Sequence, residues 1–344
     1  MKTKHKRILL VSGIVFPEIG GPATYVHNLK KELEIQGVHV RILSYGSFSK
    51  KFPIGIRHFA LFLKVLFVGM RHDQIWAFDV FSAGLPAYYA SRLLNRIFLV
   101  RIGGDSLWEA YVGRTEELLL LSDFYKQERI FNLKEKLMFW SIQRVVSGTT
   151  RIVFSTKWMH DIWKYPYNIN FESVFIIENA YVPYNLDKHK DLIEDVDKKV
   201  FVCPTRKTFF KNKKILSQAF VELQTNDSTI TLDTKPLKHK EHVLRLSSSY
   251  AVVIPSLSEV SPNLLLDAIS VGVPYIMTKD SGYASMFPQC GILVDPRSVD
   301  DIREAVKEML EPEKYALYKK HASDAYVRRT YDNVADDFVR NFLE

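Results

Sequence analysis

The stretch Ile254-Pro255-Ser256-Leu257-Ser258-Glu259-Val260-Ser261-Pro262-Asn263-Leu264-Leu265-Leu266-Asp267 decides how this chain is read. It continues the apolar run Ala251-Val252-Val253, which is the pattern of a strand buried on both faces of a parallel sheet. Ser261 is a good N-cap and Pro262 suits a first helical position, which predicts a helix over 262–271. A helix N-terminus just past the carboxyl end of a parallel strand is where open α/β sheets bind ligands. The backbone N–H groups of Asn263 and Leu264 suit an anion or ligand oxygens there. Glu259 stands immediately before this pocket and Asp267 more than a turn into the helix, so two carboxylates can face it at different depths. The plain alternative is a capped helix with two solvated carboxylates.

The same alternation of strand and helix extends in both directions. Ile8–Val15 reads as a strand, followed by a glycine turn, Gly20-Gly21, and a helix with Val26, Leu29 and Leu33 at helical spacing that Gly37 stops. Val38–Leu43 completes a βαβ unit of a parallel sheet. Strands follow at 74–78, 97–102, 151–155 and 175–178, with helices at 83–95 and 118–146. The charged stretch 184–199, poor in apolar periodicity, reads as a linker. A second series has strands at 200–203, 228–232, 251–255, 274–278 and 291–294. Its helices fall after Lys211, at 242–248, and at the C-terminus over 300–310 and 313–342. Only one short strand fits between the helix after Lys211 and the one before Ala251, so this second series is one unit short.

Bulk properties narrow the function classes. A chain of 344 residues has room for two ordinary domains, and 47% apolar with 25% charged residues excludes general disorder. A net charge of +8 favours an acidic partner: a nucleotide diphosphate, an anionic membrane surface or a nucleic acid. The two cysteines, Cys203 and Cys290, build neither a disulfide framework nor a zinc site, which fits a reducing cytoplasm. The basic start followed by Ile8–Phe16 mimics a signal peptide, but the run is short, lacks a small-residue cleavage site and is read as the first strand. No apolar stretch is long enough to span a bilayer. Ile56–Met70, apolar with Arg57 and Lys64 inside it, reads as a core helix with a basic edge or as a segment resting on an anionic membrane surface.

Three further features bear on chemistry. Arg206 and Lys211, five apart between a strand and a helix, offer two fixed positive charges to an anionic group. They lie in a region, 196–245, with 11 Lys and Arg against 5 Asp and Glu; Lys207, Lys213 and Lys214 read as its solvated members. Gly20-Gly21 lets backbone approach a ligand but is not a G-x-G-x-x-G fingerprint, so a dinucleotide cofactor is disfavoured. Asp79 and Asp105 each follow a strand end, where the plain reading is a loop cap. Asp195-Val196-Asp197 lies in the linker, not at a strand end, and is rejected as a metal motif. The ten His residues show no ligand spacing.

Taken together, Pro255-Ser256, Glu259, Asp267-Ala268 and Gly272-Val273-Pro274 resemble the hallmark of family 4 retaining glycosyltransferases of the GT-B fold. The resemblance spans nearly the whole chain and is strongest over 251–274. It implies two Rossmann-like parallel-sheet domains facing across a cleft: an acceptor-side domain over 1–182, a linker over 183–199, a donor domain over 200–325, and a C-terminal helix over 326–344 returning to the first domain. The implied reaction moves a sugar from a nucleoside diphosphate sugar to a hydroxyl of a glycan or lipid-linked acceptor, with retention at the anomeric carbon. The nucleotide sugar is a co-substrate; no metal or other cofactor and no nucleic-acid partner is expected.

In this resemblance Arg206 and Lys211 hold the donor diphosphate, and Gly20 and Gly21 face donor and acceptor. Ser261, Asn263, Leu264 and Asp267 line the donor pocket, and Glu259 positions the donor and stabilises charge. The sequence departs from the family where Asp267 replaces a Glu, where Ser261-Pro262-Asn263 replaces a glycine-containing loop, and where Gly103 stands in place of a His. Asp105 then takes part of that histidine's catalytic role, or the acceptor supplies it. These departures leave open a degenerate, non-catalytic binding or partner subunit. An epimerase of the same fold is a further alternative. The expected location is cytoplasmic, with peripheral association at the inner membrane surface.

Overall fold

The structure, a computed structural model, describes residues 6–18, 20–48, 51–180, 199–235, 239–325 and 329–344. The chain divides into two compact units. The first comprises Met1–Leu107, Arg129–Ala180 and Arg329–Glu344; the second comprises Trp108–Glu128 and Tyr181–Arg328. The expected linker lies outside the described residues except for Lys199, as does Asp195-Val196-Asp197.

The first unit holds a six-stranded sheet in the order β2-β1-β3-β4-β5-β6, formed by Arg7–Ser12 (β1), His39–Ser44 (β2), Gln74–Ala77 (β3), Ile97–Ile102 (β4), Ile152–Phe154 (β5) and Val174–Ile176 (β6). Every pairing is parallel, with Ile8 opposite Val40 on one side and Gln74 on the other. Ile8-Leu9-Leu10-Val11 is wholly buried, as a central strand covered on both faces must be. Helix α1 (Gly21–Ile35) leads from β1 to its outer neighbour β2. Helix α2 (Ile54–Gly69) then returns to β3 on the other side of β1. Right-handed crossovers in opposite directions place these two helices on opposite faces of the sheet. Accordingly α2 packs on α3 (Gly84–Leu93), which also touches α6 (Leu133–Ser147), whereas α1 packs on the last helix, α13 (Tyr331–Phe342).

Helix α13 belongs to the first unit's core. Val334, Ala335, Phe338 and Phe342 join Val26, Leu29 and Leu33 of α1 and Trp76 of β3 in one cluster. The Phe338 and Trp76 rings lie 5.1 Å apart. The buried Gln74 amide donates to Phe342 O at 2.8 Å and its Oε1 receives Trp76 Nε1 at 2.8 Å. Phe342 O also receives Arg151 Nη1 at 3.4 Å, so the carbonyl at the end of α13 is satisfied from two sides, the shorter bond coming from Gln74.

The second unit holds a five-stranded parallel sheet, β11-β10-β9-β7-β8. Its elements run β7 (Lys199–Val202), α8 (Lys213–Asn226), β8 (Ile230–Asp233), α9 (His239–Ser247), β9 (Ala251–Ile254), α10 (Asn263–Ser270), β10 (Tyr275–Thr278), β11 (Gly291–Val294), α11 (Val299–Leu310) and α12 (Pro312–Asp324). Leu216 and Phe220 of α8 pack with Ile302 and Val306 of α11 on one face of the sheet. Leu246 of α9, Leu265 and Ile269 of α10, and Ala322 of α12 form the other face. Among the described residues only β8 and α9 lie between α8 and β9, where the sequence reading also placed a single short strand.

Several elements differ from expectation. The helix expected over 118–146 is α5 (Leu121–Phe124) and α6, separated by non-helical residues. Asn132 starts α6 with a capping box, its side chain receiving Glu135 N and the Glu135 carboxylate receiving Asn132 N, each at 2.9 Å. The helix expected over 313–342 is likewise two, α12 and α13, the second opened by a capping box of Thr330 and Asn333. Helix α4 (Ser106–Thr115) and helix α7 (Lys157–Lys164) were not foreseen. The latter is capped by Thr156, whose hydroxyl receives Met159 N at 3.2 Å. Finally, Ser261 is not the N-cap of α10: Pro262 takes that place with extended backbone and no side-chain cap bond, and the helix begins at Asn263.

Candidate functional site

In the second sheet, β7 and β9 are neighbours whose following helices go to opposite faces. The loops leaving their carboxyl ends therefore diverge and open a crevice, which is the topological switch point of the sheet. Those two loops, 203–212 after β7 and 255–262 after β9, carry Arg206, Lys211, Glu259 and Ser261 of the residues singled out in the sequence.

Lys211 and Glu259 meet there: Lys211 Nζ donates to Glu259 Oε1. The same oxygen receives the hydroxyl of the fully buried Ser256 at 2.6 Å. The Lys211 and Glu259 side chains are 16% and 14% exposed, so the pair is sheltered yet open to a ligand. The backbone of Glu259 is fixed independently, since its N–H donates to Asp280 O and its C=O receives Gly282 N, both at 3.0 Å. This extends the sheet past β9 and β10 through a parallel bridge between Glu259 and Ser281.

Asn212 joins the two loops from beneath. Its backbone is left-handed, at φ 55°, a conformation that Asn tolerates better than other non-glycine residues. Its amide donates to Pro255 O at 3.0 Å and to Pro296 O at 2.5 Å, while Leu257 N donates to Phe210 O at 2.8 Å. One buried amide thus ties the loops after β7, β9 and β11. Cys203, at the end of β7, is buried beside Thr205 Oγ1 at 3.8 Å, and burial pushes its thiol up to about 11. That group is a neutral packing element rather than a nucleophile at neutral pH.

The segment Trp108–Glu128, which belongs to this unit, braces the loop around Glu259. Leu121 N donates to Ser258 Oγ at 2.7 Å, and Ser258 Oγ in turn donates to the buried Asp280. Trp108 packs on Phe210 with ring centroids 5.5 Å apart. Asn212, Ser256, Ser258 and Asp280 were not among the predicted site residues. The strand at 274–278 was read from the sequence, and the rule that locates ligands at strand carboxyl ends would have pointed to Asp280.

The other predicted residues are distributed as follows. Ser261, Asn263, Leu264 and Asp267 follow Glu259 along the same loop and into α10, all partly exposed. Arg206 stands exposed on the loop after β7 and makes no ion pair among the described residues. Just past the C-cap of α10, Gly272 turns the chain at φ +66°, where a Cβ would also crowd Ser323 Oγ at 2.9 Å.

Gly20, Gly21 and Asp105 lie in the first unit. Gly20 and Gly21 open α1 with Pro22 in its first turn. Asp105 is 1% exposed and its Oδ2 receives Trp163 Nε1 of α7 at 2.8 Å. Asp79 braces the turn that leads into α3, receiving Ala83 N and Ser82 Oγ, each at 2.8 Å; burial raises its carboxyl above the usual range while these bonds oppose the rise. A Cβ on Gly103 would come within 2.8 Å of Arg101 Nη1. Arg101 is buried against the Tyr25 ring, its guanidinium carbon 3.7 Å from the centroid, so it occupies the space a side chain at 103 would need. The sheet of this unit has its own switch point between β1 and β3, and the tight residue there is Gly13, whose Cβ would meet Asp79 Oδ2 and Ser82 Oγ at 2.8 Å. A glycine directly at a strand end is the signal that would have found it. Among the described residues no group of three or more His, Cys, Asp or Glu side chains could hold a metal ion.

Residues 210–326 match the family described as Glycosyl transferases group 1. No curated protein matches the chain in sequence at a significant level. Solved structures match over almost the full length. Sucrose-phosphate synthase (tll1590) from Thermosynechococcus elongatus has a TM-score of 0.74 at 12% identity, covering 98% of both chains. Anabaena Alr3699/HepE in complex with UDP-glucose has a TM-score of 0.67 at 14% identity, covering 98% of this chain and 99% of that one. A putative UDP-N-acetylglucosamine 2-epimerase from Listeria monocytogenes has a TM-score of 0.61 at 11% identity, covering 97% and 94%. At these identities the likeness is one of fold. The chain therefore has the GT-B fold of two Rossmann-like units and carries, over residues 210–326, a domain that matches the group 1 glycosyl transferases.

Proposed function

We propose that the protein transfers a sugar from a nucleoside diphosphate sugar to a hydroxyl of a glycan or lipid-linked acceptor, as a retaining, metal-independent glycosyltransferase. The observation that carries this reading is the meeting of Lys211 and Glu259 at the crevice between β7 and β9. A diphosphate leaving group needs positive charge held in place, and Lys211 with the exposed Arg206 supplies it. In the absence of donor, Lys211 is neutralised by Glu259. When the diphosphate enters, it competes for Lys211 and releases the Glu259 carboxylate toward the sugar, whose developing positive charge it then stabilises. The N-terminus of α10 offers the N–H groups of Asn263 and Leu264 to the donor, and Asp267 receives hydroxyls of the nucleotide ribose. Asp105, buried against Trp163, acts on this reading as a positioning residue for the chain after β4. Because the HepE structure holds UDP-glucose, uridine nucleotides are the first to try.

The test is a thermal-shift screen with UDP, GDP, ADP, CMP and their sugar conjugates on the parent protein, Lys211→Ala and Arg206→Ala. A shift specific to one nucleotide and abolished in Lys211→Ala supports the donor site. Product analysis with that nucleotide sugar then separates transfer, with retained anomeric configuration by NMR, from release of an epimerised nucleotide sugar. The absence of any shift at millimolar nucleotide leaves a non-catalytic binding subunit as the better account.

A further inference from the structure

Helix α2 is apolar nearly all round, yet it buries only one side. Leu61, Val65 and Gly69 face the core. At 3.6 residues per turn Ile56, Phe59, Leu63, Phe67 and Met70 fall within an arc of about 80° on the opposite side. These five are between 43 and 75% exposed. A helix apolar on both sides belongs in a protein interior or against a lipid phase, and an exposed apolar stripe of this length marks a contact surface. Arg57, Lys64 and Arg71 recur every seventh residue and form a row along one flank of the stripe. There is no Asp or Glu anywhere from Lys51 to His72. At the C-terminal end Arg71 and His72 line a hollow with Arg7, His39 and Arg41 against the single acid Glu34.

The stripe has a counterpart in the same layer. Helix α3 touches both α2 and α6. On α6, Leu133, Leu137 and Trp140 are 87, 46 and 48% exposed at helical spacing, with Lys134, Lys136 and Arg144 among them. Among the described residues no helix is long and apolar enough to cross a membrane.

From this geometry we propose that the α2 face of the first unit, continued by α6, lies on an anionic lipid surface, with the aromatic and aliphatic stripe in the headgroup–acyl boundary and the basic row on the phosphates. Apolar anchors with flanking Lys and Arg and no acids are the chemistry that binds such a surface. A second copy of this chain is the poorer occupant. A two-fold contact through α2 would set one basic row against another with no acid to answer it. The inference does not depend on the donor reading and can hold or fail separately.

Flotation of the full-length protein with vesicles of equimolar phosphatidylcholine and phosphatidylglycerol, and of phosphatidylcholine alone, tests it. Binding to the anionic vesicles at low salt is expected, weakened by high salt and by omitting phosphatidylglycerol. The double variant Phe59→Ser/Phe67→Ser is expected to lower the partition coefficient about tenfold or more. Both side chains are exposed, so the melting temperature should hold, and a variant that melts early is replaced by Leu63→Ser/Lys64→Ser. No flotation of the parent protein, equal flotation of parent and variant, or a dimer in light scattering that the variant dissociates would each overturn the proposal.

Discussion

Lys211 and Glu259 lie 48 residues apart in sequence and share one hydrogen-bonded ion pair at the carboxyl ends of neighbouring strands. Each is sheltered enough that removing the other leaves an uncompensated charge. Lys211→Ala is therefore expected to destabilise the donor-free protein by about 1–3 kcal/mol in urea unfolding. The double variant Lys211→Ala/Glu259→Gln should recover part of that loss, because the remaining amide still receives Ser256. Additive losses would show that the pair contributes nothing beyond its separate contacts.

With nucleotide bound, the two substitutions should part. Glu259→Gln removes charge but keeps shape, so the nucleotide-induced thermal shift should persist while turnover falls by about 100-fold or more, the scale of losing an electrostatic stabiliser of the transition state. Lys211→Ala should lose the shift itself. A Glu259→Gln enzyme with full turnover would remove Glu259 from the chemistry.

Most of the sheet pattern was legible in the sequence because the strands are short, predominantly apolar runs, the clearest being Ala251–Ile254 followed by Pro255-Ser256. The Arg206–Lys211 and Glu259 spacing was legible for the same reason: each follows such a strand. What escaped was set by capping and tertiary contact. Asn132 with Glu135 and Thr330 with Asn333 break two long helical patterns, and both breaks are written in short polar motifs that an apolar count passes over. Asn212 escaped because its role depends on a left-handed backbone and on carbonyls of Pro255 and Pro296, far away in sequence. The residues 108–128 escaped because nothing local reveals that they join the second unit.

Asn212 gives a sharp stability test. Asn212→Ala removes two buried amide bonds and puts an unsuited residue at φ 55°, and it is expected to cost about 2–4 kcal/mol. Asn212→Gly keeps the backbone and loses only the bonds, so it should cost less. Equal losses would assign the whole effect to the amide.

Asp105 separates anchoring from chemistry. Asp105→Asn retains an acceptor for Trp163 Nε1 and should fold and turn over within a few-fold of the parent, whereas Asp105→Ala orphans a buried indole N–H at a cost of about 1–3 kcal/mol. A collapse of turnover in Asp105→Asn with stability unchanged would instead assign the carboxylate to catalysis.

The pH dependence of stability has a marked contributor in Asp295. Hydrogen bonds from the Arg297 side chain, at 2.9 and 2.8 Å, hold its carboxyl well below the usual range; the Arg297 N–H and the Lys279 ammonium add to this, and burial opposes it. A carboxyl depressed in the folded state stabilises fully above its unfolded value of about 3.9 and loses that contribution only as pH falls from there toward the folded value. Asp295→Asn should therefore lower the melting temperature by a constant amount between about pH 5 and 8, and the difference should narrow below about pH 4. A gap that instead widens on acidification would mean the carboxyl is raised rather than lowered by its surroundings.

The last helix can be tested as part of the first unit's core. Phe338 is fully buried against Trp76, and α13 ends on the Gln74 amide. Phe338→Ala leaves a cavity beneath β3 and should cost about 3–5 kcal/mol. Gln74→Leu should add a separate loss by stranding the Trp76 indole and leaving the Phe342 carbonyl with only its longer bond from Arg151. Tyr165→Ala, at an 81% exposed position of the same unit, should leave the melting curve where it is. Were α13 a loosely attached tail, Phe338→Ala would melt like Tyr165→Ala, and hydrogen exchange would show 331–342 unprotected while the amides of β1 and β3 stayed closed.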